Sequence, residues 1–263
     1  LAELAEVVFA RTAFDDETLS AQNEKLRQTE WAQPAIGTLS LGMYRLFAAM
    51  GLKPAAFGGQ SYGEVTALRA GGAFDDETFF AVSRKRGELM AEAAENTEGA
   101  MTAVSAEIQK VRELLDESGA DVVVANHNAL TQVVVSGETS EIEKFEDALK
   151  AAGQDFKRLR VSTAFHSPVV SASSKPFEEF LKGLEVAVPE TAVLANATAE
   201  PYGDVVSTLA SQIANPVRFV DELEALWNSG VRTFVEAGPG NVLTRLVDGV
   251  LGERGARAIA TDN

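Results

Sequence analysis

The spacing of apolar and polar positions changes along this chain. Residues 35–51 carry an amphipathic pattern that ends at Gly51, which predicts a helix with one buried face. Residues 1–30 read as helical and exposed. Residues 64–70 read as a short helix stopped by Gly71-Gly72, and 79–95 as a long one. From residue 100 short strand-like runs alternate with helices. Strands are predicted at 100–105, 121–126, 132–136 and 156–161, and helices at 107–117, closed by Gly119, and 141–152, closed by Gly153. The order β-α-β-β-α-β is the ferredoxin-like split arrangement. Beyond it, helices are predicted at 177–184, 205–213, 220–229 and 243–250, and strands at 193–196 and 233–236. The expected fold is α/β: a large α/β-hydrolase-like domain (1–97 and 163–263) with an inserted ferredoxin-like βαββαβ small domain (98–162).

One stretch carries more chemistry than the rest, Gly58-Gly59-Gln60-Ser61-Tyr62-Gly63-Glu64. It has the G-x-S-x-G pattern, preceded by the apolar run Pro54-Ala55-Ala56-Phe57 and followed by a helix. That is the setting of a nucleophile elbow, in which flanking glycines leave room for a sharp turn that exposes the serine hydroxyl. The helix N-terminus behind it directs N–H groups toward developing negative charge. Glycine-flanked serines also occur in ordinary turns.

The 263 residues are enough for one large domain with a smaller insert, and the 46% hydrophobic content fits a buried core. No apolar run is long enough to span a bilayer, and no signal peptide is visible. The absence of cysteine removes disulfides, thiolate metal sites and cysteine nucleophiles, and fits a cytoplasmic protein. Acidic residues outnumber basic ones 39 to 23, a net charge of −16 that disfavours nucleic acid and anionic membranes as partners. The first residue is Leu1 rather than Met, which reads as a fragment of something longer or a mature chain missing its beginning.

The two histidines, His127 and His166, lack metal-ligand spacing, so no metal site is expected. A base for Ser61 must be one of them. His166 lies in Thr163-Ala164-Phe165-His166-Ser167-Pro168, where the proline favours a loop, and it suits proton transfer. His127, in Asn126-His127-Asn128, suits a structural or rim role. Arg86 lies on the helix after the elbow; on spacing alone, beside Arg84 and Lys85, it reads as part of a solvated basic face.

Several segments in order resemble the acyltransferase domain of polyketide synthases, kin to malonyl-CoA:acyl carrier protein transacylase. They are Thr29-Glu30-Trp31-Ala32-Gln33-Pro34-Ala35, the elbow, Arg86-Gly87-Glu88-Leu89-Met90, Gly99-Ala100-Met101, Val134-Val135-Ser136-Gly137, Ala164-Phe165-His166-Ser167, Asn215-Pro216-Val217-Arg218-Phe219 and Glu236-Ala237-Gly238-Pro239-Gly240. The resemblance implies Ser61 as acylated nucleophile, His166 as general base and later acid, Arg86 as partner of the malonyl carboxylate, and the Tyr62 N–H as an oxyanion donor. It implies that a backbone carbonyl near Asn215 to Arg218 orients the histidine. Phe165, just before the histidine, implies malonyl over methylmalonyl units. No bound cofactor is implied: malonyl-CoA is the substrate, and the partners are an acyl carrier protein bearing phosphopantetheine and other domains of a synthase.

Two departures stand out. Gln60 occupies the position where the family usually has histidine, beside the substrate. The family's N-terminal Gly-Gln-Gly segment, source of a second oxyanion donor worth about 2.7–4 kcal/mol, does not occur here: either it lies upstream or this stretch alone is a poor catalyst. Lys157, Arg158 and Arg160 form a candidate basic docking area for an acidic carrier, or a solvated strand edge. Two other readings stay open: a serine esterase or thioesterase of α/β-hydrolase type, and a degenerate carrier-docking domain. The hydrolase order of serine, acid, then a late histidine does not fit a chain with no histidine after His166.

Overall fold

The computed structural model describes residues 2–161 and 163–262. The expected domain boundary at 162 therefore falls on a residue outside the described ones.

The chain begins with α1 (Ala2–Val8) and α2 (Asp16–Arg27), two helices where one exposed helical stretch was expected. Asp15 explains the break: its side chain accepts the Thr18 N–H at 2.6 Å and caps α2. The next helix, α3 (Thr29–Ala49), starts earlier than its apolar pattern suggests and runs through a buried Pro34. Then come α4 (Gly63–Ala70) and α5 (Asp76–Asn96), the latter capped by Asp75.

The next run is β1 (Gly99–Val104), α6 (Ile108–Ser118), β2 (Val122–Ala129), β3 (Gln132–Glu138), α7 (Thr139–Ala151) and β4 (Phe156–Arg158). Its strands form one antiparallel sheet in the order β2-β3-β1-β4. Strand alternation gives the sheet two buried faces. Val133 and Val135 of β3 pack with Val111, Ile142, Phe145 and Leu149 beneath the helices. Val134 and Met101 face the other way, toward Phe165. β4 is shorter than expected: after the Leu159 N–H bonds to Met101 the chain leaves the sheet.

The remainder holds α8 (Ser174–Lys182), α9 (Val205–Gln212), α10 (Phe219–Asn228), β5 (Thr233–Glu236), α11 (Val242–Leu251) and β6 (Arg257–Ala260). β6, missed in the sequence pattern, pairs in parallel with β5. The strand expected at 193–196 is reduced to a parallel bridge between Phe57 and Val193 and an antiparallel one between Leu194 and Pro201. The chain turns directly after Leu194, and the Ala195 N–H goes to the Glu200 carbonyl at 2.9 Å, so no longer ladder forms. A large core around Leu68, Phe79, Val82, Phe177 and Leu209 supports the segments on either side of that bridge.

Candidate active site

The stub ending at Phe57 feeds a turn that delivers Ser61 at φ 53°. A Cβ on Gly59 would lie 2.1 Å from the Gly63 carbonyl carbon, so only glycine fits there. Gly63 differs from the expectation: a Cβ there meets nothing within 4 Å. The crowding falls on one side of the serine only.

The Ser61 Oγ lies 2.8 Å from His166 Nε2. His166 is also at positive φ, 57°, and its N–H donates to the Ile213 carbonyl at 3.0 Å. Its Nδ1 sits 3.0 Å from the Asn215 carbonyl and 3.1 Å from that of Gln212. Carbonyls only accept, so the network assigns the proton to Nδ1 and leaves the Nε2 lone pair facing the serine. Burial first, then the nearby Arg86 charge, hold the imidazole pKa down to about 4, against the pull of the two carbonyls. The ring is therefore neutral near pH 7.

Arg86 is fully buried on α5. Its Nη1 donates to Gln33 Oε1 at 2.8 Å and contacts Met90 Sδ at 3.1 Å. Its Nη2 donates to Gln212 Oε1 at 2.7 Å and reaches Ser61 Oγ at 3.4 Å. Burial lowers its pKa to about 10, which still leaves it charged at neutral pH. Among the described residues no carboxylate forms an ion pair with it, and its Nε has no partner. The solvated face expected from spacing belongs to Arg84, which pairs with Glu88; Arg86 points inward.

The other sequence-derived residues fall at varied distances from this centre. Tyr62 is buried at the start of α4, and its hydroxyl meets Ser83 Oγ at 2.8 Å. Gln60 is half-buried and its Nε2 donates to Asn128 Oδ1 at 3.3 Å. Phe165 is half-buried between the large core and the sheet. Of the stretch from Asn215 to Arg218 expected to supply an orienting carbonyl, Asn215 is the residue whose carbonyl meets His166 Nδ1, while the Arg218 guanidinium takes Asp221 at 2.7 Å and the Thr198 carbonyl at 3.3 Å. His127 is half-buried in β2, with its N–H on the Val217 carbonyl at 2.9 Å. Arg158 is not free for docking, because Glu146 holds it through two bonds of 2.7 and 2.9 Å.

Sequence reasoning missed Gln212 and Asn196. Gln212 serves three groups: its carbonyl takes His166, its Oε1 takes Arg86, and its Nε2 donates to the Ser61 carbonyl at 2.7 Å. Asn196 Oδ1 accepts the Ser61 N–H at 2.7 Å. A buried amide at the end of a predicted helix was the available signal for Gln212. Asn196 offered none, being the last residue of what read as a short strand.

A neutral imidazole on a serine hydroxyl, beside a buried guanidinium in a mixed α/β frame, has the make-up of an acyltransferase. The model of the family described as acyl transferase domain matches residues 3–259. The malonyl CoA-acyl carrier protein transacylase of Bacillus subtilis is 34% identical over 263 residues, covering 92% of this chain and 82% of that protein. The polyketide biosynthesis protein ThaF of Burkholderia thailandensis is 37% identical over 241 residues, 88% of this chain but 20% of that protein, so the chain spans about a fifth of this relative. A solved malonyl-transacylase in complex with a type II polyketide synthase acyl-carrier protein superimposes with a TM-score of 0.85 at 28% identity, covering 100% of this chain and 86% of that one. The chain belongs to the acyl transferase domain family.

Proposed function

We propose that this domain moves a malonyl unit from malonyl-CoA to the phosphopantetheine thiol of an acyl carrier protein in polyketide biosynthesis, through an ester on Ser61. The observation that carries the reading is the 2.8 Å contact between Ser61 Oγ and the free face of His166, with a charged guanidinium 3.4 Å from the same oxygen. His166 Nε2 takes the serine proton as Oγ attacks the thioester carbonyl. The tetrahedral oxyanion forms at the start of α4, where the Tyr62 N–H has no acceptor among the described residues. Collapse breaks the carbon–sulfur bond, and the imidazolium returns its proton to the departing CoA thiolate. In the second half-reaction His166 takes the proton of the carrier thiol. The thiolate attacks the Ser61 ester, and the released serine alkoxide regains that proton.

Arg86 receives the malonyl carboxylate as a charge-assisted pair. That anion offsets the positive charge that depresses the His166 pKa, so substrate binding makes the base stronger at the moment it is needed. Phe165, next to the base in sequence, supports malonyl over methylmalonyl on the volume a phenyl ring takes from an α-methyl, a discrimination of about 1–3 kcal/mol for one methyl. The transacylase activity named for the relatives supports the reaction, and the solved carrier complex supports the partner.

In this reading residues 98–162 form a ferredoxin-like insert, supported by the strand order β2-β3-β1-β4, in a large hydrolase-like frame. A cytoplasmic setting and neighbouring synthase domains belong to the same reading. The test is intact-mass and peptide-mass detection of a malonyl adduct on Ser61 after exposure to malonyl-CoA, followed by its transfer to a carrier protein. Ser61→Ala removes the adduct; an adduct that persists in that variant places the nucleophile elsewhere.

A further inference from the structure

Ser61 is held at φ 53°, a strained conformation for a residue with a side chain that survives only where neighbours over-determine it. Gln212 holds the serine carbonyl. The other side of the residue is gripped by a single amide. Asn196 Oδ1 accepts the Ser61 N–H at 2.7 Å, and Asn196 Nδ2 donates to the Gly59 carbonyl at 2.6 Å. The two peptides bracketing Gln60 are thus tied to one planar group.

Asn196 is fully buried and is itself fastened on every side. Its N–H donates to Glu64 Oε1 at 2.8 Å, and its carbonyl accepts the Arg218 N–H at 2.9 Å. Glu64 Oε1 also accepts the Tyr202 hydroxyl at 2.7 Å. The Asn196 Nδ2 makes a second bond, to Glu222 Oε1. Two buried carboxyls, one on α4 and one on α10, therefore stand behind the turn. Neither is in an ion pair, and the Oε2 of each has no partner, among the described residues.

We propose that Asn196, clamped between Glu64 and Glu222, is the positioning residue that sets the Ser61 hydroxyl against His166. The proposal rests on Ser61 being the nucleophile. Without the amide, Ser61 relaxes toward negative φ and its Cβ swings off the imidazole. Arg86 sits on a different helix and is held by Gln33 as well as Gln212, so the carboxylate grip survives. The loss therefore falls on the chemical step and not on substrate affinity. Burial, followed for Glu222 by the proximity of Glu64, raises both carboxyl pKa values. The clamp thereby avoids placing two bare charges beneath the turn.

The experiment is single-turnover acylation of the intact protein by malonyl-CoA, with the modified peptide located by mass. Wild-type protein is labelled on Ser61; a label elsewhere overturns the nucleophile and this proposal together. Asn196→Ala slows acylation by at least about 100-fold while the half-saturating malonyl-CoA concentration stays within about threefold. A labelled wild type with Asn196→Ala within about threefold of its rate removes the positioning role and leaves the nucleophile standing. A rise in half-saturation that accounts for the whole loss does the same.

Should the alanine variant lack a cooperative melt, Asn196→Asp decides. It keeps the acceptor for the Ser61 N–H but loses the donor to Gly59 and Glu222, and acylation falls by at least about 30-fold. Adding Glu222→Gln places an amide donor opposite the new carboxylate and recovers at least about fivefold. No recovery in the folded double variant overturns the clamp.

Discussion

Arg86→Ala separates carboxylate recognition from general catalysis. In the folded protein the guanidinium is fully buried against neutral partners only: two amide oxygens, a thioether sulfur and the serine hydroxyl. Desolvating a cation without an anion is unfavourable, and in the proposed reaction a malonyl carboxylate would supply the missing partner. One charge-assisted bond contributes about 1.5–3 kcal/mol, which at about 1.36 kcal/mol per decade corresponds to a loss of about 10- to 150-fold in kcat/KM for malonyl-CoA. Acetyl-CoA has no carboxylate to place, so its transfer falls by less than about threefold once the buried charge is gone. Removing the charge also lifts one cause of the low His166 pKa, so the acid limb of the remaining activity moves to higher pH. The assay is transfer to a carrier thiol read by mass, with both acyl-CoAs at matched concentrations and pH varied. Equal losses for malonyl and acetyl groups refute the carboxylate grip, whatever the absolute rates.

Wild-type kcat/KM for malonyl-CoA holds well below pH 6.5, because the folded imidazole stays neutral to about pH 4; an acid limb at the ordinary histidine value refutes that electrostatic account. Stability responds in two opposed windows. The unfolded histidine takes a proton that buried His166 refuses, so stability falls as pH drops from about 6.5 to about 4. Glu64, raised by burial from 4.5 to about 7, holds a proton longer when folded, so its contribution falls as pH rises through that interval. The two intervals overlap, so urea titrations across pH 4–8 compare wild type with Glu64→Gln, in which the rise of stability with pH steepens, and an unchanged slope refutes the Glu64 account. Phe165→Ser raises the methylmalonyl-to-malonyl transfer ratio by about 5- to 100-fold in a competition assay, and an unchanged ratio discards the volume argument. Gly59→Ala abolishes a cooperative thermal melt or Ser61 acylation, since its Cβ would overlap the Gly63 backbone, whereas Gly63→Ala melts within a few degrees of wild type; equal losses in both contradict the one-sided crowding.

What the sequence disclosed depended on how local each signal was. The βαββαβ run was legible because each strand and helix carries its own period and Gly119 and Gly153 close the helices at positive φ. The elbow was legible because its glycines, serine and following helix are contiguous. Arg86 was misread locally, because Arg84 and Lys85 beside it on α5 are also cations, and only the packing of that helix on α3 and α4 shows which one turns inward. β6 escaped notice because it is four residues long and exists through its pairing with β5. Asn196 and Gln212 escaped because their value lies in contacts 135 and 151 positions away in sequence.

The proposed base, His166, is held by the four-stranded sheet as well as by the segment that carries it. Ser136 Oγ, on the face of β3 opposite its helices, donates to the Phe165 carbonyl at 2.8 Å, one residue before His166. β2 reaches the segment that supplies the orienting carbonyl: the Val217 N–H goes to Ala125 at 2.8 Å and the His127 N–H to Val217 at 2.9 Å, two residues beyond Asn215. The imidazole is therefore fixed through its own backbone by β3 and through its Nδ1 acceptor by β2. Ser61 is fixed by Asn196 and by Gln212, and Gln212 also meets His166 Nδ1 through its carbonyl, so one residue links the two partners. A shift of the sheet relative to the elbow pulls on the Phe165 and Asn215 anchors together, against the links that Ile213 and Gln212 make to the base from the other side. That coupling makes the 2.8 Å contact a property of how the sheet seats on the large core. It also means that a substitution in β2 or β3 far from Ser61 acts on the rate of acylation before it acts on substrate binding.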